Sequence, residues 1–519
     1  MTIENYIINS ILRRKKITEK KLDVLKRRAA LKYKLPIPTN IKLLKSYHDI
    51  IASNKGKKSP ILENILKTRK IRSLSGIAAI TVITKPYPCP GKCLYCPQEK
   101  DMPKSYLANE PACMRAVLTK FDPYHQTKAR LDSLKMTGHA TDKIELIVLG
   151  GTWSFYPQQY QKWFIKRCFD ACNGKITKSL QLAQKLNEKA QNRIIGLTLE
   201  TRPDFVNIKE IKKMRELGCT RVELGIQSIY DDILKKNKRG HNVKTIIRAA
   251  KMLKDAGMKI TFHIMPGLPG SNLIKDEKMF KELFRNPHFQ PDQLKIYPCV
   301  VLKTAPLYHL WKNKKYKPYS DKQLFNLLVK IKKEIPPYVR IVRIIRDIPS
   351  PSIVAGNKMS NLRQLLSNKR VKCRCIRCRE IRNFRPRAGQ PWAEKLIRRE
   401  YDASGGKEIF LSFEDVKNDK ILAFLRLRIT NSPTLPILKN CALIRELHTY
   451  GQTVPISRKI KNARQHKSLG KKLMAEAEKI AKKEFNFSKM AVIAGIGVRE
   501  YYKKLGYKLK KTYMIKSLT

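Results

Sequence analysis

The chain has 519 residues, long enough for two or three domains with sizeable cores. Hydrophobic residues make up 42%, an ordinary globular share that excludes a wholly disordered chain. Lys and Arg number 109 against 42 Asp and Glu, a formal charge of +67 spread along the whole length, which points to a polyanionic partner, nucleic acid first. No apolar run reaches membrane-spanning length, and "MTIENYIINSILRRKK" meets charge too early for a secretory signal. A cytoplasmic protein without a membrane partner is expected. Its 12 cysteines are then reduced, as core thiols or metal ligands rather than disulfides.

Residues 1–75 are basic, with helical apolar spacing in "KKLDVLKRRAALKYK". The bland reading is a solvated helical face; the whole-chain charge favours a nucleic-acid-binding region slightly. Residues 76–346 alternate short apolar strands with helical segments: "IAAITVIT", "IELIVLGG", "IIGLTLET", "RVELGIQS", "MKITFHIMP", "LKIYP" and "VRIVRII". Helix-like stretches such as "NIKEIKKMRELG" and "VKTIIRAAKMLKDAG" lie between them, each closed by Gly. Repeated β–α units imply a parallel sheet, open or curled into a barrel, with chemistry on the loops after the strands. Residues 347–395 form a basic, cysteine-rich linker. Residues 396–519 change to an antiparallel-looking α+β pattern: "EIFLSFED", "ILAFLRLRI", "CALIRELHTYG", then the helix "SLGKKLMAEAEKIAKKEF" and the strand "KMAVIAGIG".

Cys89, Cys93 and Cys96 in "KPYPCPGKCLYCP" follow the first strand in a Pro- and Gly-containing loop. Thiolates suit zinc or an iron–sulfur cluster. A structural zinc takes four ligands, and the next cysteine, Cys113, is seventeen residues on. Three local ligands leave one metal position open, as a catalytic centre needs. "LGG" ends the second strand, where Gly150 and Gly151 let backbone approach a ligand closely. Glu200 in "ETRPD", Gln227 in "ELGIQS" and Lys295 in "LKIYP" stand at other strand ends; each alone reads as an ion pair or a solvated side chain, and together they read as a site. His263, on an apolar strand, reads as a satisfied core histidine. Near the C-terminus "RQHKSLGKKL" puts a small-residue turn before an amphipathic helix, a place where backbone N–H groups bind phosphate.

The CxxxCxxC spacing with an aromatic before its last Cys resembles the signature of the radical S-adenosylmethionine enzymes. The helix start resembles the pyrophosphate loop of the GCN5-related acetyltransferases, Q-x-x-G-x-G, with Ser468 in place of the first Gly. Both on one chain, together with "EPACMRA", "GLTLETRPD", "RVELGIQS", "KRGH", "RDIPSP", "RELHTYG" and "REYYKKLGY", resemble the family of Elongator catalytic subunits in single-chain prokaryotic form, over roughly residues 35–519. The resemblance implies a radical S-adenosylmethionine partial (β/α)6 barrel, a zinc-binding linker and an acetyltransferase domain. The implied activity builds a 5-carboxymethyl group on the wobble uridine of transfer RNA: a 5′-deoxyadenosyl radical activates the methyl of acetyl-CoA, whose carbon adds to uracil C5.

Carried over residue by residue, Cys89, Cys93 and Cys96 hold a [4Fe–4S] cluster, and Gly150, Gly151, Glu200, Gln227 and Lys295 surround S-adenosylmethionine. Lys143, Glu446, Leu447, His448, Thr449, Leu469, Gly470, Lys471 and Tyr502 bind acetyl-CoA, with Lys143 and Tyr502 as the catalytic candidates. The polyanion is then the anticodon stem-loop of transfer RNA, with the target base splayed from its stack. A homodimer is compatible with this, and accessory subunits are not expected to be required. Cys373, Cys375 and Cys378 have C-x-C-x-x-C spacing for zinc and need a fourth ligand, for which Cys299 in "YPCVV" is chosen over a histidine. Cys113, Cys168, Cys172, Cys219 and Cys441 read as core or surface thiols. The competing functions are a protein lysine acetyltransferase with a structural cluster domain, disfavoured by the basic charge, and an RNA-binding scaffold without catalysis.

Overall fold

The computed structural model describes residues 1–13, 17–53, 58–68, 75–382, 384, 393–451 and 468–518. The first region is a packed helical unit: α1 (Ile3–Leu12), α2 (Glu19–Tyr33), α3 (Asn40–Ala52) and α4 (Pro60–Leu66). Thr2, Thr18, Thr39 and Ser59 cap the four helices through side-chain oxygens. Their apolar stripes meet in a core of Ile7, Ile8, Leu22, Leu43, Leu44, Tyr47 and Leu62. The opposite face of α2 exposes Lys20, Lys21, Arg27, Arg28 and Lys32.

The central domain is a parallel sheet in strict sequence order: β1 (Ala78–Ile83), β2 (Lys143–Leu149), β3 (Arg193–Thr201), β4 (Arg221–Gln227), β5 (Lys259–Ile264), β6 (Gln293–Ile296) and, after the short β7 (Val301–Leu302), β8 (Arg340–Arg343). The six-unit barrel of the sequence reading thus carries a seventh strand, and β1 and β8 are its two unpaired edges. The alternation of its strands is unusual for a parallel sheet. Ile144, Leu146, Leu197, Leu199, Val222, Leu224, Ile260 and Phe262 lie in the core. Between them Glu145, Thr198, Arg221, Glu223, Thr261, His263, Gln293 and Lys295 are buried polar residues. Successive strand side chains point to opposite faces, so one face packs on the helices and the other lines a polar lumen.

β7 pairs with β9 (Ile353–Ala355) in a small two-stranded antiparallel sheet beyond the barrel mouth. The C-terminal domain is a second seven-stranded sheet: β10 (Glu394–Ala403), β11 (Gly406–Asp415), β12 (Lys420–Ile429), β13 (Cys441–Thr449), β14 (Lys489–Val492), β15 (Lys508–Lys510) and β16 (Tyr513–Ser517), ordered β10-β11-β12-β13-β14-β16-β15. Only β13 and β14 are parallel in it, and the helix Leu469–Lys483 connects them. β10 starts at Glu394, slightly before the expected boundary, and the β15–β16 pair lay unread beyond "LGY".

This domain closes the N-terminal end of the barrel. His448 Nε2 lies 2.9 Å from Ser75 O, just ahead of β1. Arg445 Nη1 donates to Met258 O at 2.7 Å, and Arg426 Nη2 to Tyr338 O at 2.6 Å. Backbone meets backbone at Gly495, where a Cβ would sit 2.0 Å from Ile195 O. Gly495→Ala should therefore cost about 2–3 kcal/mol, read as a lowered urea midpoint. A midpoint equal to wild type would show that the turn is free of β3.

Candidate active site

At the C-terminal ends of the barrel strands, the loop after β1 places Cys93 and Cys96 in the interior and leaves Cys89 half-buried. Cys89 Sγ lies 3.7 Å from Thr152 Oγ1. The three sulfurs do not converge to within 4.8 Å of one another, as Cys373, Cys375 and Cys378 do. Burial pushes the Cys93 thiol up, but Arg239, donating from Nη1 at 3.1 Å, outweighs it and holds the thiol below its ordinary value. Cys96, buried beside Cys93, is pushed up to about 12, so its proton leaves readily only when a cation replaces it.

A cavity of about 370 Å³ opens beside this loop, lined by Tyr95, Tyr106, Glu200, His263, Lys295 and Arg346 among others. Glu200 accepts a hydrogen bond from Tyr106 Oη at 2.8 Å. His263 is indeed satisfied, at 2.9 Å from Glu223, yet it also lines the cavity. The Lys295 ammonium is ion-paired with Glu223. Burial favours a neutral Glu223, but Lys295 and then His263 hold it well below the usual carboxylate range. Gln227 ends β4 with φ +69°, and its Oε1 has no hydrogen-bond partner among the described residues. An orphaned acceptor on a cavity wall fits a polar ligand. Gly150, at φ +133°, is required by packing: a Cβ there would lie 1.8 Å from Thr84 Oγ1, under the cysteine loop. Gly151, also at positive φ, faces Lys104 O.

Lys143, Glu446 and His448 lie at the other end of the barrel. β1, six residues or roughly 20 Å long, separates the two ends. Lys143 opens β2, and burial lowers its pKa. Glu446 is bound by Arg426 at 2.9 Å and Lys259 at 3.4 Å; against burial, Lys259 and Arg426 hold its carboxyl at about 2. A column of buried polar side chains continues up the lumen: Arg221 pairs with Glu145 at 2.9 Å, and Thr261 bonds Gln293 at 3.3 Å.

β13 runs past its last pairing with β14, at Ile444↔Val492, so the backbone of residues 445–449 is splayed from that neighbour. A bulge at Arg445 marks the same place. Leu469, Gly470 and Lys471 begin the helix facing the splay, after Ser468 at φ +59°. A Cβ at Gly470 would come 3.0 Å from Tyr501 Oη, 3.8 Å from Leu447 and 3.9 Å from Thr449 Oγ1. Tyr501 is therefore the hydroxyl at the helix start. Tyr502 is buried in the domain core against Tyr507. Gln465, the first residue of the sequence motif, lies outside the described residues.

Cys373, Cys375 and Cys378 converge where the domains meet: Cys375 belongs to the barrel core, and the next residue, Ile376, to the C-terminal core. Cys299 does not join them, which corrects its assignment as the fourth ligand. It packs with Ile233, Leu268, Val301 and Leu307 on the loop after β6, at the barrel mouth, and its N–H donates to Pro266 O. Among the described residues no fourth ligand completes the group. Cys113, Cys168, Cys172, Cys219 and Cys441 are all buried.

Residues 86–283 match the model of the radical SAM superfamily, and residues 291–372 that of the Radical_SAM C-terminal domain. The chain is 47% identical to a tRNA uridine(34) acetyltransferase of Methanocaldococcus infernus, over 97% of this chain and 96% of that one. It is 40% identical to human Elongator complex protein 3, over 91% and 89%. The chain belongs to the Elongator complex protein 3 family. A solved structure of this family, M. infernus Elp3 lacking its N-terminus, superposes with a TM-score of 0.76 at 46% identity, covering 86% of this chain and all of that one. Arg202, Arg239, Tyr106, Arg346 and Tyr501 are site residues the sequence reading left unassigned; the family markers "ETRPD", "KRGH", "RDIPSP" and "REYYKKLGY" contain four of them, Arg202, Arg239, Arg346 and Tyr501. No helix among the described residues is long and apolar enough to cross a membrane.

Proposed function

We propose that this family member modifies the wobble uridine of transfer RNA, building the 5-carboxymethyl group from acetyl-CoA. The observation that carries the reading is the cysteine loop over a polar-lumened barrel whose far end is closed by the acetyltransferase-like sheet. The name tRNA uridine(34) acetyltransferase, borne by end-to-end relatives, supports it. Cys89, Cys93 and Cys96 would hold the [4Fe–4S] cluster and the adjoining cavity S-adenosylmethionine, together supplying a 5′-deoxyadenosyl radical when bound. The splayed β13 backbone and the helix start at Leu469–Lys471 would hold acetyl-CoA, with Tyr501 beside them and Lys143 at the barrel floor. Cys373, Cys375 and Cys378 would hold zinc with a fourth ligand from outside the described set. The polar column of the lumen lies between the two proposed ligand sites and keeps that path polar and charged. We place the reaction in the cytoplasm, on the anticodon stem-loop, with no accessory subunit required and a homodimer compatible.

The exposed basic face of α2 and the +67 charge support transfer RNA as the polyanion. Its affinity should fall at least about tenfold between 50 and 200 mM salt, measured by filter binding. A salt-independent affinity would remove the electrostatic basis of the reading. The deciding assay is anaerobic, with reconstituted cluster, S-adenosylmethionine, acetyl-CoA and transfer RNA. Added mass on uridine is expected. Robust lysine acetylation with unmodified uridine would overturn the proposal.

A further inference from the structure

The motifs "ETRPD" and "KRGH" contribute no ligand to the proposed cluster, yet the fold brings their arginines together over the cysteine loop. Arg239, 5% exposed, donates from Nη1 to Cys93 Sγ at 3.1 Å and from Nη2 to Gly225 O. It has no ion pair with a carboxylate among the described residues, so the sulfur is the anionic partner it touches. Arg202, 7% exposed, donates from Nε and Nη2 to Asp204 at 3.0 and 2.8 Å, and from Nη2 to Arg239 O at 2.7 Å. Its Nη1 has no hydrogen-bond partner among the described residues. It points at the cysteine loop: a Cβ on Gly91 would lie 2.4 Å from it and 3.5 Å from Cys93 Sγ.

Three glycines from three separate segments clear the space. Besides Gly91, a Cβ on Gly240 would meet Arg202 Nη2 at 3.0 Å, and one on Gly225 would meet Arg239 Nη2 at 3.3 Å. Two buried guanidiniums with so little carboxylate compensation are expensive in the protein alone. They make sense beside a centre that is more negative than one thiolate.

We infer that Arg239 and Arg202 are positioning residues that raise the reduction potential of the cluster held by Cys89, Cys93 and Cys96. Arg239 acts through its hydrogen bond to the Cys93 sulfur, and Arg202 through its unpaired Nη1. The inference rests on the cluster reading above. One-electron reduction, from a low-potential donor, adds a negative charge to a buried centre. A cation and a hydrogen bond on its ligand sulfur stabilise the reduced form more than the oxidised one.

The test is a redox titration of the full-length, anaerobically reconstituted chain with dithionite, followed by electron paramagnetic resonance. Arg239→Gln should retain iron and sulfide at the wild-type ratio. At the potential that half-reduces wild type, its reduced-to-oxidised ratio should fall at least about tenfold. Arg202→Gln should shift the same way by less, and Arg239→Lys, keeping a charge and a donor, should stay within about threefold of wild type. A fully loaded Arg239→Gln with the wild-type potential overturns the inference. So does an Arg239→Gln that loses iron while Arg202→Gln titrates like wild type, since arginine would then serve assembly alone. A wild-type chain that takes up no iron sinks the parent reading instead.

Discussion

Cys93→Ala should bring uridine modification to background, below about a hundredth of wild type, together with the iron content of the purified chain. Cys93 is buried at 6% exposure and takes the Arg239 hydrogen bond, so alanine removes a ligand and leaves a buried guanidinium without its anion. The effect should stop at one end of the barrel. The splayed strand β13 and the helix start at Leu469 lie on the far side of β1, so acetyl-CoA affinity by calorimetry should stay within about twofold, as expected for distant sites. Full modification by Cys93→Ala would eliminate radical chemistry at this loop. Loss of acetyl-CoA binding in the same variant would show that the two ends are coupled more tightly than their separation suggests.

Asp292→Ala should destabilise the chain by about 3–5 kcal/mol, seen as a lower urea midpoint. At the domain seam Arg426, Arg428, Arg445 and Lys259 form a network with Asp255, Asp292, Glu408 and Glu446, in which Asp255, Asp292 and Lys259 come from the barrel and the others from the C-terminal sheet. Asp292 is fully buried and also accepts Ile260 N–H at 2.9 Å. Burial alone would raise its pKa, but Arg445, then Lys254 and Arg426, hold it well below the usual carboxylate range. A carboxylate depressed in the folded state contributes stability above its unfolded value, near pH 4, and that stability is lost as pH falls toward the folded value. Wild type should therefore lose stability steeply below about pH 5, and Asp292→Ala should show a shallower slope over the same window. Equal slopes would mean that other carboxylates govern acid unfolding.

Much of the architecture was legible because the relevant signals are local. Seven strand segments were visible as apolar runs, and glycines such as Gly218 and Gly257 do close helices at positive φ. The cysteine spacing in "CPGKCLYC" indicated an open metal site without any fold, since it puts three thiols on one short loop with no fourth ligand beside them. The helical spacing of α2 was visible too, but not the three helices packed around it, because its periodicity does not say what covers Leu22 and Leu25.

Most of the residues that sequence patterns did not place depend on partners far away in the chain. Cys299 finds its apolar surroundings in Ile233, Leu268 and Leu307, which no spacing rule connects to it, rather than in the Cys373 group. Tyr501 and Tyr502 are adjacent in sequence, and only the twist of a short helix turns one toward Gly470 and the other into the core. Arg239 reaches Cys93 across 146 residues, and Arg445 reaches Asp292 across 153. By itself the sequence determined the elements, the spacing of the cysteine loop and the strong positive charge, because periodicity, spacing and net charge are properties of neighbours and sums. Tertiary structure alone decided which end of the barrel each site occupies and which cation faces which sulfur, because burial and pairing depend on residues that only folding brings together.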